Sequence, residues 1–299
     1  MVGACRSFSV TRVAAGEQAD ARDRVATEEP LEVRLHGRPF AVIMRTPGDD
    51  AALAAGFLLS ERVLTSAADL GTIAYCTHGH ASLRLSSAGG EERDASEATG
   101  DPVVESPIAL AENIVNVTLM EPQASAVEGL LAARRQVTTN SSCGLCGRLT
   151  IESLRADTPA LLSQTRLERG ALLSMPTRLR AAQTVFDETG GLHAAGLFAT
   201  DGRLVDAAED VGRHNAVDKV VGRMLMREAL PLSELVLFVS GRTSFEIVQK
   251  ALFAGIPIVA SVSAPSSLAI ELAEQAGITL AGFVRGDHFN IYTHAARIL

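Results

Sequence analysis

The chain has 299 residues, of which 47% are hydrophobic and 21% are charged. This is ordinary globular usage and excludes disordered and collagen-like classes. Asp and Glu outnumber Lys and Arg by 35 to 27, so the net charge is −8, which argues against nucleic-acid binding and against an anionic membrane surface. Four cysteines are too few for a disulfide scaffold, and residues 1–30 lack the apolar segment of a secretory signal. We expect a cytoplasmic protein of about two domains.

The first half of the sequence predicts short strands and Ala/Leu-rich helices. Residues 1–30 are rich in charges and poor in large apolar side chains, so we expect a loose, flexible tail. Apolar stretches at 31–35 and 40–44 flank a Gly-containing turn and predict a hairpin. Thr46-Pro47-Gly48-Asp49-Asp50 predicts the start of a helix over 50–61. The remaining predictions for this half are strands at 72–76, 82–86 and 113–119, a loop at 87–104 and a helix at 125–136.

The strongest local motif is Cys143-Gly144-Leu145-Cys146, in the polar, Gly-rich segment 138–147, which predicts a loop. The two-residue gap suits three chemistries: a persulfide on one thiolate, a reversible disulfide, or half of a zinc site. A structural zinc site needs about four ligands, and Cys76 with His78 or His80 has no diagnostic spacing. A thioredoxin-like motif should follow a strand of a βαβ unit, whereas this motif lies in a polar predicted loop. We therefore expect a sulfur carrier without a resident metal, and the other two chemistries stay open.

The second half alternates apolar strands with helices, a spacing typical of parallel strands joined by helical crossovers. The predicted elements are a helix at 176–188 with Pro176 in its first turn, strands at 192–198 and 204–208 around an Asp201-Gly202 turn, a helix at 214–229, strands at 235–239, 256–261 and 278–284, and helices at 243–254 and 265–276. The sequence thus predicts an α/β protein. An α+β domain over 31–155 carries the Cys-x-x-Cys loop, and a domain with a mostly parallel sheet covers 156–299.

Two polar clusters lie where helices of the second domain begin. In the segment 209–215, Asp210 could simply cap a helix, because acids are favoured at helix N-termini. Arg213 and His214 could instead meet an anion or a thiolate, and both interpretations stay open. The segment 240–244 follows a buried strand, where ligands of parallel sheets bind, and its Arg242 could hold a phosphate together with helix N–H groups. The alternative is a strand-to-helix turn capped by Thr243 or Ser244.

A third cluster, Phe283-Val284-Arg285-Gly286-Asp287-His288, ends the last predicted parallel strand. Asp287 could accept hydrogen bonds from the two donors on a guanine edge, and Arg285 could pair with a phosphate. Taken alone, this pattern is only weakly specific.

Together these motifs resemble the FdhD family of formate dehydrogenase accessory sulfurtransferases, from residue 29 to the C-terminus. The resemblance is carried by Arg45-Thr46-Pro47-Gly48-Asp49-Asp50, Asn140-Ser141-Ser142-Cys143-Gly144-Leu145-Cys146-Gly147, Gly191-Leu192-His193-Ala194-Ala195, Glu209-Asp210-Val211-Gly212-Arg213-His214-Asn215, Ser240-Gly241-Arg242 and Gly286-Asp287-His288. The set is far more specific than any single motif.

The resemblance implies a C-terminal three-layer domain of cytidine-deaminase-like fold. It also implies sulfur transfer from a cysteine desulfurase to the bis-molybdopterin guanine dinucleotide cofactor of formate dehydrogenase. Cys143 would carry the persulfide with help from Cys146, the run 283–288 would lie against the guanine dinucleotide end of the cofactor, and homodimers would be typical. Zinc deaminases need a His-x-Glu motif, and His193-Ala194-Ala195 lacks that Glu, so deaminase activity is not expected.

Two rival functions fit the same residues. A non-catalytic chaperone could bind the molybdenum cofactor while zinc or a disulfide makes the Cys-x-x-Cys motif structural. A thiol–disulfide oxidoreductase could use the same pair on generic disulfides without any cofactor. The order of helices and strands does not separate these functions from a sulfurtransferase.

Overall fold

The computed structural model describes residues 3–76, 113–134 and 160–299. Its first element is an antiparallel hairpin of β1 (Cys5–Ala14) and β2 (Glu17–Ala26). The prediction of a loose tail over residues 1–30 was therefore wrong for this segment. Ala15 and Gly16 both have positive φ, as a two-residue hairpin turn requires. Most side chains on both faces are exposed, so the strands lack the polar–apolar alternation that would have revealed them.

A four-stranded sheet follows, with the order β4-β3-β6-β5. Its elements and the helices beside it are β3 (Glu29–Leu35), β4 (Arg38–Arg45), α1 (Asp50–Ser60), β5 (Leu70–Tyr75), β6 (Ile114–Leu119) and α2 (Gln123–Arg134). The predicted hairpin, the helix after it and the strands near 72–76 and 113–119 are confirmed. The strand predicted at 82–86 and the loop at 87–104 lie outside the described residues.

The second sheet has six strands in the order β12-β11-β10-β9-β7-β8. They are β7 (His193–Ala199), β8 (Leu204–Asp210), β9 (Leu235–Val239), β10 (Ile258–Ser261), β11 (Thr279–Arg285) and β12 (His288–Thr293). The pairs β9–β10 and β10–β11 are parallel, and the pairs β7–β8, β7–β9 and β11–β12 are antiparallel. The sheet is thus mixed rather than mostly parallel. Apolar runs predict burial of a strand, but they do not encode its direction.

Helices cover both faces of this sheet. They are α3 (Arg169–Ala181), α4 (Thr184–Thr189), α5 (Arg213–Met226), α6 (Phe245–Phe253) and α7 (Ser267–Gln275). Along β9, Val236 and Phe238 join the apolar cluster under α3, whereas Leu237 and Val239 join the cluster under α5–α7. The alternation gives three layers. The predicted helix at 176–188 was misplaced, because α3 begins at Arg169 and contains Pro176 in its interior.

The two halves of the chain share one apolar core. Helix α1 crosses α5 so closely that a Cβ on Gly222 would lie 1.9 Å from the backbone oxygen of Ala52, and one on Gly56 would lie 2.0 Å from that of Asp218. Glycine is therefore required at both positions. Leu53 of α1 and Val217 of α5 belong to the same buried cluster. The domain boundary predicted near residue 155 lies outside the described residues and stays a prediction.

Candidate functional site

The polar clusters of the second half meet at one edge of the six-stranded sheet. The parallel strands β9, β10 and β11 end at this edge. The antiparallel strand β8 also ends there, and β7 begins there, since His193 pairs with Asp210. Helices α5 and α6 start from the same edge. We call it the carboxyl edge, and ligands of such sheets bind beyond it.

Asp210 is a structural residue that joins the two halves of the chain. Its carboxylate is fully buried and lies 2.8 Å from Nζ of Lys219. It accepts hydrogen bonds from the backbone N–H of Thr46 at 3.2 Å, from that of Gly212 at 2.8 Å and from Nδ2 of Asn215 at 2.9 Å. The N-cap of α5 is Gly212, with no side-chain cap, so the interpretation of Asp210 as a helix cap was wrong.

Two more ion pairs complete this buried junction. Arg45 donates from Nε and Nη2 to the two carboxylate oxygens of Asp50, both at 2.9 Å, and to Oδ1 of Asn113 at 2.7 Å. Lys250 donates to both carboxylate oxygens of Asp218, at 2.7 and 2.8 Å. We call the pairs Arg45–Asp50, Asp210–Lys219 and Asp218–Lys250 the ion-pair junction. These contacts give the motif at 45–50 a structural role.

Beside the junction, three side chains at the starts of α5 and α6 form a chain of contacts. Nε2 of His214 lies 3.0 Å from Oγ of Ser244, and Nδ1 of His214 lies 3.2 Å from Oε2 of Glu246. The side chains of His214 and Glu246 are 15% and 11% exposed. Both are therefore largely removed from water but still reach the carboxyl edge.

Burial shifts the pKa of both ionisable members. It lowers the pKa of His214 to about 3, with further lowering by Lys250, Arg213 and His193. It raises the pKa of Glu246 to about 7, since desolvation outweighs the opposing charges of Lys250 and Arg213. Desolvation disfavours the charged form of either group. At neutral pH the imidazole is neutral, and the carboxyl group is the member of the pair that titrates.

Around this triplet the edge is tightly packed. A Cβ on Gly241 would lie 3.3 Å from Nδ1 of His193 and 3.8 Å from Cδ of Arg213. Burial, followed by the charge of Arg213, lowers the pKa of His193. Nε of Arg213 and Oγ1 of the fully buried Thr243 have no hydrogen-bond partner within the described residues. Unpartnered donors beside a glycine backbone suit an anionic ligand.

The predicted cofactor-binding residues occupy the exposed rim of this edge. Arg242 is exposed beyond β9. Gly286 and Asp287 form the turn between β11 and β12, with side-chain exposures of 102% for Asp287 and 70% for His288. Nε of Arg285 donates to the backbone oxygen of Val262 at 2.7 Å. Strand β10 lies between the ends of β9 and β11. Arg242 and the residues of the β11–β12 turn therefore lie on the same edge without direct contact.

Two members of the run 283–288 differ from the rest. The side chain of Val284 is fully buried in the core under α3, so only its backbone is available to a ligand. Phe283 has φ of 54° within an irregular stretch of the β11–β12 ladder, and a positive φ is strained for a bulky residue. Local strain of this kind is most common at functional sites.

Cys143 and Cys146 lie outside the described residues, so their proposed chemistry stays a prediction. Cys5 and Cys76 are described, and both are free thiols. Within residues 3–76, 113–134 and 160–299, no group of three or more His, Cys, Asp or Glu side chains could hold a metal ion. The same residues contain no helix long and apolar enough to cross a membrane.

Comparison with known proteins agrees with the motif pattern. A family model described as the FdhD/NarQ family matches residues 26–299. The chain belongs to this family. The "Sulfur carrier protein FdhD" of Streptomyces avermitilis is 48% identical over 97% of this chain and 94% of the relative. That of Sulfolobus acidocaldarius is 40% identical over 98% of both chains.

A solved structure supports the fold. The crystal structure of a protein from Desulfotalea psychrophila, described as a formate dehydrogenase accessory protein, superposes with a TM-score of 0.70 and covers 99% of both chains. The two sequences are 23% identical, so this likeness concerns the fold alone.

Sequence reasoning did not single out Glu246. It lies in the first turn of α6, where an acid is ordinarily favourable to the helix, and nothing in the local sequence separates it from a surface carboxylate. A weak signal was available in the apolar residues on both sides of it, because Phe245 and Ile247 are both buried.

Proposed function

We propose that this chain is a sulfurtransferase that carries sulfur as a persulfide on Cys143. A cysteine desulfurase would be the donor, and the bis-molybdopterin guanine dinucleotide cofactor destined for formate dehydrogenase would be the acceptor. Relatives that are 40–48% identical over nearly the whole chain are named sulfur carrier proteins, and the Cys-x-x-Cys motif supplies two thiols at the spacing that persulfide chemistry uses.

The carboxyl edge is the observation that supports this function best. Arg242 and Arg285 lie on its rim, and Arg213 has an unpartnered Nε beside Gly241. A dinucleotide cofactor carries phosphates, which guanidinium groups bind with two parallel hydrogen bonds. Asp287, on the exposed turn after β11, could accept hydrogen bonds from a guanine edge. In this proposal the cofactor is cargo that binds along this rim.

The transfer itself would proceed in two balanced steps. The Cys143 thiolate attacks the terminal sulfur of the desulfurase persulfide, the donor's S–S bond breaks, and the donor cysteine leaves as a thiolate. The Cys146 thiolate then attacks Sγ of Cys143, so that a Cys143–Cys146 disulfide forms and the carried sulfur leaves as sulfide. The acceptor takes that sulfide, and reduction by a thiol restores the pair.

The first test is sulfur loading. Purified protein is incubated with a cysteine desulfurase and cysteine, and peptide masses are then measured. We expect a reductant-sensitive gain of sulfur on the peptide that contains Cys143. The gain should be lost in Cys143→Ala and kept in Cys76→Ala, which removes a free thiol elsewhere in the chain.

An absence of added sulfur would contradict the proposal. If the protein instead held stoichiometric zinc, and Cys143→Ala still supported formate dehydrogenase activation, the motif would be structural. The chain would then be a cofactor-binding chaperone.

A further inference from the structure

Ser244 and Ser266 occupy equivalent places in the fold but make different hydrogen bonds. Each precedes a helix that follows a parallel strand, and their loops are joined by a parallel bridge between Thr243 and Pro265. Oγ of Ser266 accepts from the N–H of Ala269 at 3.3 Å, as an N-cap serine ordinarily does. Ser244 makes no such cap, and its Oγ lies 3.0 Å from Nε2 of His214.

The other nitrogen of His214 faces a carboxylate that is otherwise poorly solvated. Oε2 of Glu246 lies 3.2 Å from Nδ1 of His214 but has no well-aligned hydrogen bond within the described residues. A buried carboxylate oxygen without a donor favours the protonated form. A protonated carboxyl group can itself donate to Nδ1. Ser244 and His214 are thus hydrogen-bonded, and a small rotation of either side chain would align the 3.2 Å contact between His214 and Glu246.

The surrounding charges define which member of the array holds the proton. Arg213 and Asp218 face Glu246 from α5, Lys250 faces it from its own helix, and Glu61 faces it from the end of α1. Lys250 is already bound to both oxygens of Asp218, so it does not form an ion pair with Glu246.

His214 experiences the positive charges of Lys250 and Arg213 and the nearby ring of His193 on β7. The lowered pKa of His214, about 3, and the raised pKa of Glu246, about 7, follow from these neighbours and from burial. At neutral pH the imidazole stays uncharged, and a proton can reside on Glu246.

We propose that Ser244, His214 and Glu246 form a proton relay that removes the proton from a thiol bound at the carboxyl edge. The thiol proton passes to Oγ of Ser244, the original hydroxyl proton passes to Nε2 of His214, and the proton on Nδ1 passes to the carboxylate of Glu246. One thiolate and one carboxylic acid result, and the imidazole changes tautomer without becoming charged. The role of the relay rests on the proposed sulfur transfer: the thiolate is that of a sulfur acceptor, it attacks the outer sulfur of the Cys143 persulfide, the S–S bond of that persulfide breaks, and Cys143 leaves as a thiolate.

A base with a conjugate acid near neutral pH is the most effective proton acceptor under physiological conditions. The tautomer of a histidine is set by the hydrogen bonds of its two ring nitrogens. The relay therefore predicts that protonation of Glu246 switches His214 from the Nδ1–H to the Nε2–H tautomer.

The direct test uses full-length protein with ¹⁵N-labelled histidine and follows the ring nitrogens by NMR from pH 5 to 9. We expect His214 to stay neutral throughout and to exchange tautomers with a midpoint near pH 7. Glu246→Gln should remove the transition, and Ser266→Ala should keep it. Formation of an imidazolium on His214 in this range, or a tautomer that does not change, would overturn the relay.

A second measurement links the relay to sulfur transfer. Protein already loaded on Cys143 is mixed with a thiol acceptor, and the rate of sulfur release is measured against pH. We expect an inflection near pH 7 that Glu246→Gln and His214→Asn abolish, with release slowed about 10²-fold. Ser244→Thr, which keeps a hydroxyl, should retain the inflection that Ser244→Ala loses. An unchanged profile in Glu246→Gln would contradict the relay.

The two proposals can fail separately. If Cys143 does not accept sulfur in any variant, the proposed sulfur transfer is wrong, whereas the tautomer measurement still tests the relay in the protein alone. If loading is normal in Glu246→Gln but release keeps its wild-type rate and pH dependence, the relay is wrong and sulfur transfer stands.

Discussion

The ion-pair junction and the Ser244–His214–Glu246 array lie beside each other, but they differ in how their buried polar groups are partnered. In the junction each ion faces an opposite charge at 2.7–2.9 Å, and of its charged groups only Nη1 of Arg45 lacks a hydrogen-bond partner within the described residues. In the array Oε2 of Glu246 lacks an aligned donor, and Nε of Arg213 beside it lacks an acceptor within the described residues. Each buried unsatisfied group costs about 1–3 kcal/mol, so the array is retained at a cost to stability. In the junction, loss of one partner would leave the other charge buried and uncompensated.

Removal of one ion from the junction should have the largest effect. Asp210→Ala leaves Lys219 buried without its counter-charge, and the backbone N–H groups of Thr46 and Gly212 lose their acceptor. We expect a loss of about 3–5 kcal/mol in the free energy of unfolding, measured by urea denaturation. The matched control is Asp187→Ala, whose ion pair with Arg180 is exposed and should contribute less than about 1 kcal/mol. Equal losses in the two variants would show that Asp210 is not a structural residue.

A change that keeps the charge but alters its shape tests the geometry of the junction. Arg45→Lys cannot reproduce the two parallel hydrogen bonds to Asp50 together with the bond to Asn113. We expect a loss of about 2 kcal/mol, in the range of charge-assisted hydrogen bonds. Arg38→Lys is the control, because its pair with Glu128 is exposed. A lysine that restored full stability at position 45 would mean that charge alone matters there.

The array should respond to pH through its acidic member, Glu246. The pKa of Glu246 is raised from 4.5 to about 7, so the folded state keeps this proton after the unfolded state has lost it. Stability from this group is fully present below about pH 4.5 and is lost as pH rises through about 7. Above that range Glu246→Gln should be more stable than wild type by roughly 1–3 kcal/mol, and the difference should disappear near pH 4.

Thermal unfolding at pH 4 and pH 8 provides the measurement. The exposed Glu128→Gln on α2 serves as the control and should show no comparable gain at pH 8. A Glu246→Gln variant whose stability relative to wild type is the same at both pH values would refute the assignment of Glu246 as the titrating member.

The smallest effect concerns the two equivalent serines. Ser266→Ala removes a hydrogen-bonded N-cap from α7 and should cost about 1 kcal/mol, while sulfur release and its pH dependence stay unchanged. Ser267→Ala, one position further on, is the control for stability and should change it by less than about 0.5 kcal/mol. A pH-dependent effect of Ser266→Ala on sulfur release would contradict the distinction drawn between Ser244 and Ser266.

Local sequence patterns predicted the elements that bury one face. Helices near 214–229, 243–254 and 265–276 and the strand at 235–239 were all found close to their predicted positions, because periodic apolar residues record which face is buried. The predictions were wrong where the apolar pattern is missing or ambiguous. The exposed hairpin Cys5–Ala26 has no buried face to reveal it, and Pro176 was assigned to a first turn although it lies inside α3.

The sequence by itself determined the family, the main helices and strands, and the gathering of polar motifs at the ends of adjacent strands. The tertiary structure decided which of those motif residues are structural and which are free to act. Thr46 and Asp210 are 164 positions apart, and Ser60 and Asp218 are 158 apart. Burial and hydrogen-bond partners decide whether a polar residue is structural or reactive. Those partners come from segments that are distant in the sequence, and local sequence patterns do not connect them.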